Sequence, residues 1–199
     1  MKKTHLTRPK PLTAAAKGGL DPGVSFSIRP AAKPDVRTLL EMIRELAAFE
    51  HLEKEVAATA ASLANALFGP ERVAYALLAE RAGKALGYAI YYHTFSSFAG
   101  RKGIFLEDVF VRPAHRRHGI GRALLERTAR IGADLNCGRF EWIALRWNKS
   151  ALRFYKQLGA AKMNEWVLLR MDSKAMTGLA SSSKPRAAKP NKTKSEGKL

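Results

Sequence analysis

The chain has 199 residues, 46% of them hydrophobic, and 35 Lys+Arg against 17 Asp+Glu give a formal net charge of +18. That length suits one well-cored domain with tails to spare, and no apolar run approaches the roughly 20 residues a membrane-spanning helix needs. A single cysteine, Cys137, excludes an internal disulfide and points to a reducing cytoplasm, its thiol being either reactive or a small buried hydrophobe.

Half the charge excess sits at the two ends. Residues 1–23 carry a net +4 and residues 175–199 a net +5; residues 24–174, with 24 Lys+Arg against 15 Asp+Glu, carry +9. The opening "MKKTHLTRPKPLTAAAKGG" lacks an apolar h-region and does not read as a secretory signal. The closing "SSSKPRAAKPNKTKSEGKL" is rich in Ser, Pro and Lys and has little to bury. Both ends are expected to be disordered. Basic tails of this kind touch nucleic acid weakly and without sequence preference, or simply keep a chain in solution, and both readings stand.

Between the tails the elements run β-α-α-β-β-β-α-β-α-β. "VSFSIRP" (24–30) alternates as a first strand. Pro34 suits a first helical position, and Val36, Leu39, Leu40, Ile43, Leu46 and Ala47 then recur at helical spacing. A second helix starts at Thr59 and stops before Gly69-Pro70. "RVAYALLAER", "KALGYAIYYHTF" and "KGIFLEDVFV", joined by "AGK" and "SSFAGR", predict an antiparallel meander. A helix over 119–136 follows, then a strand "RFEWIALR", a helix from Asn148 to Leu158 and a last strand "KMNEWVLLR". A meander followed by a βαβ crossover makes a mixed α/β sheet, and ligands of such sheets favour the point where the strand direction changes.

That point carries "RRHGIGRALL" (116–125), a basic, glycine-containing turn opening into a helix. A turn of this type aims backbone N–H groups at one spot, at the positive end of a helix dipole, and suits a pyrophosphate. Leu124 stands where a dinucleotide motif needs its third glycine, and a P-loop's Lys-Ser/Thr is missing. Alone, Gly119 and Gly121 could equally shape a strand-to-helix turn. In "RWNKSALRFYKQLGA" (146–160) Asn148 is a good helix N-cap, and Leu152, Tyr155 and Leu158 share one face. Tyr155 is then either a core residue with a wet tip or a donor of its phenolic proton to a leaving group. Glu107-Asp108 interrupts an apolar strand, so one of the two must face the covered side. A carboxylate there is paired structurally, or it binds an ammonium group or takes its proton.

Together these stretches carry a resemblance. "RRHGIGRALL" is similar to the acetyl-CoA motif of the GNAT superfamily of acetyltransferases, and "NKSALRFYKQLGA" to its later Asn-to-helix motif. More narrowly, "GYAIYYHTFSSFAGRKGIFLEDVFV" with "WNKSALRFYKQLGA" resembles the diamine (spermidine/spermine) acetyltransferases and their thialysine-acetylating relatives. The resemblance implies an α/β GNAT fold: a mixed, mostly antiparallel sheet with a splayed strand pair and helices on both faces.

It implies that acetyl-CoA is the cosubstrate. Its pyrophosphate would lie on the turn formed by Arg116, Arg117, His118, Gly119, Ile120, Gly121 and Arg122, and its pantetheine arm along Val109, Phe110 and Val111. Asn148, Lys149, Ser150 and Ala151 would touch the coenzyme from the other side. Tyr155 matches the family's general acid and Glu107 a carboxylate beside the substrate amine, acting as base directly or through water. Phe49, Glu50 and Glu165 match positions that reach the substrate. A small cationic amine is the implied acceptor, a homodimer the implied assembly, and no metal is expected. The motif leaves a protein amine or an antibiotic amine open as acceptor. A reading of another class, a basic nucleic-acid-binding protein that keeps the fold, has no interleaved Lys/aromatic stripe in the core to support it.

Overall fold

The computed structural model describes residues 25–181 and the backbone of residues 16–17. The chain divides into two compact units, one ending at Leu145 and one starting at Arg146. The expectation of disordered ends lies largely outside the described residues. Within them, Ala16–Lys17 (β1) pairs antiparallel with Ser27–Pro30 (β2), and Ser173–Ser181 (α5) forms a helix that reaches into the predicted tail.

In the first unit, β2 leads through a single 3₁₀ turn, Lys33–Asp35, into Val36–Glu50 (α1). Asp35 joins the two. It accepts from Arg29 Nη1 and Nη2 at 2.6 and 3.0 Å and from the Ala32 backbone N–H at 2.7 Å. Arg29 Nε also donates to Glu80 at 3.0 Å, and the guanidinium holds the Asp35 carboxyl below its ordinary range. Helix α1 stops at Glu50 because His51 takes a left-handed conformation (φ 61°) and Leu52 N–H closes back on the Ala47 carbonyl at 2.8 Å. Ala60–Phe68 (α2) begins with a reciprocal cap: Ser62 N–H donates to Thr59 Oγ1 at 3.1 Å and Thr59 N–H to Ser62 Oγ at 2.9 Å.

Tyr75–Arg81 (β3), Lys84–Ser96 (β4) and Arg101–Val111 (β5) form the expected meander. Positive φ at both Ala82 and Gly83 makes the β3–β4 connection a tight hairpin turn. Ile120–Asp134 (α3) then crosses over to Phe140–Trp142 (β6), which lies parallel to β5. Among the described residues the sheet order is β1-β2-β3-β4-β5-β6, antiparallel except for the last pair. One face packs on α1 and α2 through Leu39, Met42, Leu67, Leu78, Tyr88, Ile90 and Phe110. The other face receives α3, whose stripe of Ile120, Leu124, Leu125, Thr128 and Gly132 is buried.

The second unit contains Lys149–Gln157 (α4) and α5. The strand predicted over "KMNEWVLLR" is not formed: residues 161–172 are irregular, and Met163, Trp166, Val167, Leu168, Leu169 and Met171 are exposed. β propensity is realised only on a ladder, and this segment has none. Among the described residues, no helix is long and apolar enough to cross a membrane.

Candidate active site

The site starts from a fault in the β4–β5 ladder. Ile90 lies opposite Asp108 and Tyr91 opposite Leu106, so Glu107 is an extra residue in β5, a β-bulge. One inserted residue reverses the facing of everything beyond it. Before the bulge, Ile104 faces α3 and lies against Gly132, where an added Cβ would stand 3.1 Å from its Cδ1. Beyond the bulge, Asp108 and Phe110 turn to the α1–α2 face beside Tyr88 and Ile90. Glu107 is left exposed, and Asp108 is the carboxylate that turns inward.

Asp108 accepts one hydrogen bond, from the Tyr88 hydroxyl to its Oδ2 at 3.2 Å. Burial, then the neighbouring Glu107 charge, push its carboxyl up to about 6; the Tyr88 hydroxyl opposes them and Glu50 adds a smaller upward push. Glu50 itself is raised by burial.

The bulge has a second consequence. The parallel ladder pairs Ile104 with Phe140, Phe105 with Glu141 and Leu106 with Trp142, and ends there, one residue before Glu107. Among the described residues of the first unit, β5 continues to Val111 without β6 alongside, and on that edge the Val111 carbonyl accepts from Arg116. The strand predicted over 139–146 accordingly stops at Trp142. A bulged strand bends, and the ladder to β6 ends where the bulge begins.

The turn beyond β5 supplies the other half. Arg117 (φ 67°) and Gly119 (φ 78°) are both left-handed, and α3 begins after Gly119 with no side-chain cap and no acid in its first turn. The first closing bond runs from Ala123 N–H to the Gly119 carbonyl at 3.0 Å, so the amides of Ile120, Gly121 and Arg122 have no partner within the helix. A Cβ built on Gly121 would meet only Val111 Cγ2, at an ordinary 3.8 Å. The protein itself leaves room for a side chain there, beside the amides of Ile120, Gly121 and Arg122. The residues present therefore fit the coenzyme. Gly121→Val should accordingly leave the apo melting midpoint nearly unchanged while removing most of the rise that acetyl-CoA produces, as read by thermal melting with and without the coenzyme.

The arginines around the turn have other duties than the sequence implied. Arg116 donates from Nε to the Val111 carbonyl at 2.9 Å, and its guanidinium lies 4.8 Å from the Phe49 ring centroid and 5.8 Å from that of Phe110. Arg112, which the sequence reading passed over, grips Glu45 from Nε and Nη2 at 3.0 and 2.8 Å and donates to the Ala85 carbonyl at 3.0 Å. The two arginines hold the C-terminal part of α1, at Glu45 and Phe49, to the end of β5. Arg122 spends part of its charge on Glu126 at 3.4 Å, while Arg117 is exposed and His118 half-buried.

Within the second unit, Asn148 caps α4: its Oδ1 accepts from Ala151 N–H at 3.1 Å and from Ser150 Oγ at 3.0 Å. Lys149, Ser150 and Ala151 form the first turn of α4. Tyr155 lies on α4, half-buried, with its ring 5.6 Å from that of Phe154. Glu165 is exposed in a turn of the irregular segment.

The sheet is mostly antiparallel and opens at a bulge, with an uncapped glycine turn at the end of the opened strand. The chain belongs to the Acetyltransferase (GNAT) family, whose model matches residues 37–160, and it is an acetyltransferase. It is 35% identical over 167 residues to the thialysine N-epsilon-acetyltransferase of Sus scrofa, spanning 78% of this chain and 98% of the relative. It is 32% identical over 165 residues to the human spermidine/spermine N(1)-acetyltransferase-like protein 1, spanning 78% of this chain but 24% of that one. Among solved structures, an integron cassette protein from the mobile metagenome of V. cholerae superposes with a TM-score of 0.68 at 29% identity, over 80% of this chain and all of the other.

Proposed function

We propose that the protein acetylates a terminal primary amine of a small cationic acceptor of the diamine or thialysine type, using acetyl-CoA, by direct attack in a ternary complex. The observation that carries this reading is the geometry at Asp108: a carboxylate turned inward at the β5 bulge, bonded to the Tyr88 hydroxyl, flanked by Glu107 and Glu50 and pushed up to about 6 by burial. An amine arrives protonated and must lose a proton before it can attack a carbonyl. Asp108 takes that proton, while Glu107 and Glu50 hold the cation in place. The base thus moves one residue along from Glu107, the match that resemblance alone suggests. Acetyl-CoA supplies an activated acetyl group: the amine nitrogen bonds to its carbonyl carbon and the carbon–sulfur bond breaks. By likeness to the family, Tyr155 protonates the departing sulfur, and the second proton that the nitrogen gives up as the amide forms restores the Tyr155 hydroxyl through solvent. The amides of Ile120, Gly121 and Arg122 hold the diphosphate, and the β5 edge at Val109–Val111 aligns the arm.

Relatives at 35% and 32% identity are named for the Nε of thialysine and the N1 of spermidine or spermine, which supports a short cationic acceptor. A homodimer in the cytoplasm, by likeness to the family, and weak nucleic-acid contact through the basic ends belong to the same reading. The test is a panel of thialysine, spermidine, putrescine, an aminoglycoside and a peptide amine, scored by coenzyme A release. The first three should be turned over best. Glu50→Gln and Glu165→Gln should raise KM for spermidine more than for a short monoamine, and added salt should imitate them, because exposed charges are screened within about 8–10 Å. A preference for the aminoglycoside or the peptide would replace the acceptor class.

A further inference from the structure

The centre of the α1–α2 face holds a polar group that catalysis by Asp108 alone does not require. Tyr88 is fully buried, with 0% of its surface exposed, in the middle of β4 among Leu39, Met42, Ile90 and Phe110. Its ring lies 6.2 Å from that of Phe110, directly across the ladder. Packing would be served as well by phenylalanine, and a buried hydroxyl costs stability unless it is bonded. The hydroxyl's bond goes to one place, Asp108 Oδ2, diagonally across the strand pair.

Charge of one sign surrounds this carboxylate. Glu107 precedes it on β5, and Glu50 faces it from α1, where Glu45 also acts on Tyr88 but is held by Arg112. Arg116, from the turn before α3, stacks on Phe49 and Phe110 rather than bonding to Asp108. From β4 the facing group is Tyr88 itself. Burial and its own proximity to these acids keep the Tyr88 hydroxyl protonated, and hence a donor.

From this arrangement we infer that Tyr88 is a positioning residue: its hydroxyl fixes the Asp108 carboxylate at the bulge and stabilises its ionised form, so that the base is charged at physiological pH. The inference rests on the reading of Asp108 as base. Without Tyr88, nothing among the described side chains bonded to Asp108 opposes burial and the two glutamates, and the carboxyl spends more of its time protonated.

Tyr88→Phe keeps the ring and removes the hydroxyl. Two measurements on the full-length chain separate the inference from the reading it depends on. Carboxyl carbon NMR, with the Asp108 signal assigned by its loss in Asp108→Asn, follows the ionisation directly; kcat/KM against pH follows the chemistry. Tyr88→Phe should raise the Asp108 titration midpoint by about one unit, the size expected for losing a hydrogen bond to a charged group. It should move the acidic limb of the rate profile upward by the same amount, with activity above that limb changed less than about threefold and the melting midpoint at pH 5 nearly unchanged. An Asp108 midpoint that stays put in Tyr88→Phe overturns the inference. A midpoint that moves while the acidic limb does not keeps Tyr88 as the positioner of Asp108 and instead overturns Asp108 as the base. If Tyr88→Phe proves unstable, Tyr88→Met with the same titration takes its place.

Discussion

Asp108→Asn should abolish most of the activity and at the same time make the protein more stable at neutral pH. The loss follows from removing the base: a positioned proton acceptor contributes about 10²–10⁴ in rate, and asparagine keeps the shape and can still accept from Tyr88. The gain follows from linkage. The folded-state carboxyl is raised from 3.8 to about 6, so between those values the folded chain holds a proton that the unfolded chain releases. Stability from Asp108 is therefore fully present below about pH 4, declines as pH rises toward 6, and is absent above it. A shift of that size is worth up to about 3 kcal/mol. Asparagine, having no proton to lose, escapes the decline. Melting midpoints of wild type and variant should coincide near pH 4 and separate by several degrees at pH 7.5, with the variant higher. Equal midpoints at both pH values would mean that Asp108 is not held in a costly charged state.

Tyr155→Phe is the second large effect. The ring that packs beside Phe154 is retained, so stability and acetyl-CoA affinity should hardly change. Turnover should fall by ~10²–10⁴, the usual contribution of a positioned acid. A thiol of pKa about 8.5 is already a tolerable leaving group, which puts the expected loss toward the lower part of that range. Steady-state kcat and KM on the preferred amine decide it. A fall in kcat with unchanged KM for acetyl-CoA supports the assignment; wild-type turnover returns Tyr155 to a packing role.

Much of this was legible in the sequence where the cause is local. The helix start at Thr59, the Asn148 cap, the short turn between β3 and β4 and the glycine turn before α3 all follow from a few neighbouring residues. The resemblance supplied the family and the coenzyme. The bulge was not legible, because it depends on how β5 registers against β4, and with it went the choice between Glu107 and Asp108. Alternation showed that one must face inward, yet an inserted residue reverses the alternation at that very place. The roles of Arg112 and Arg116 depend on α1 lying against the end of β5, which no local pattern reveals. "KMNEWVLLR" has the composition of a strand and forms none, since its order depends on a ladder rather than on its own residues. Ser173–Ser181 shows the opposite case, a helix reaching past the point where tail composition was expected to begin.

The most direct measurement compares kcat/KM for Glu107→Gln and Asp108→Asn side by side, on the same amine at pH 7.5. The two residues are adjacent, carry the same charge and differ in exposure, and the bulge separates their directions. Asp108→Asn should lose about a hundredfold or more, as removal of the base requires, whereas Glu107→Gln should lose less than about tenfold, as expected for an exposed charge that only attracts the cation. The reverse order, with Glu107→Gln the more damaged variant, would contradict the account and restore the exposed carboxylate as the base.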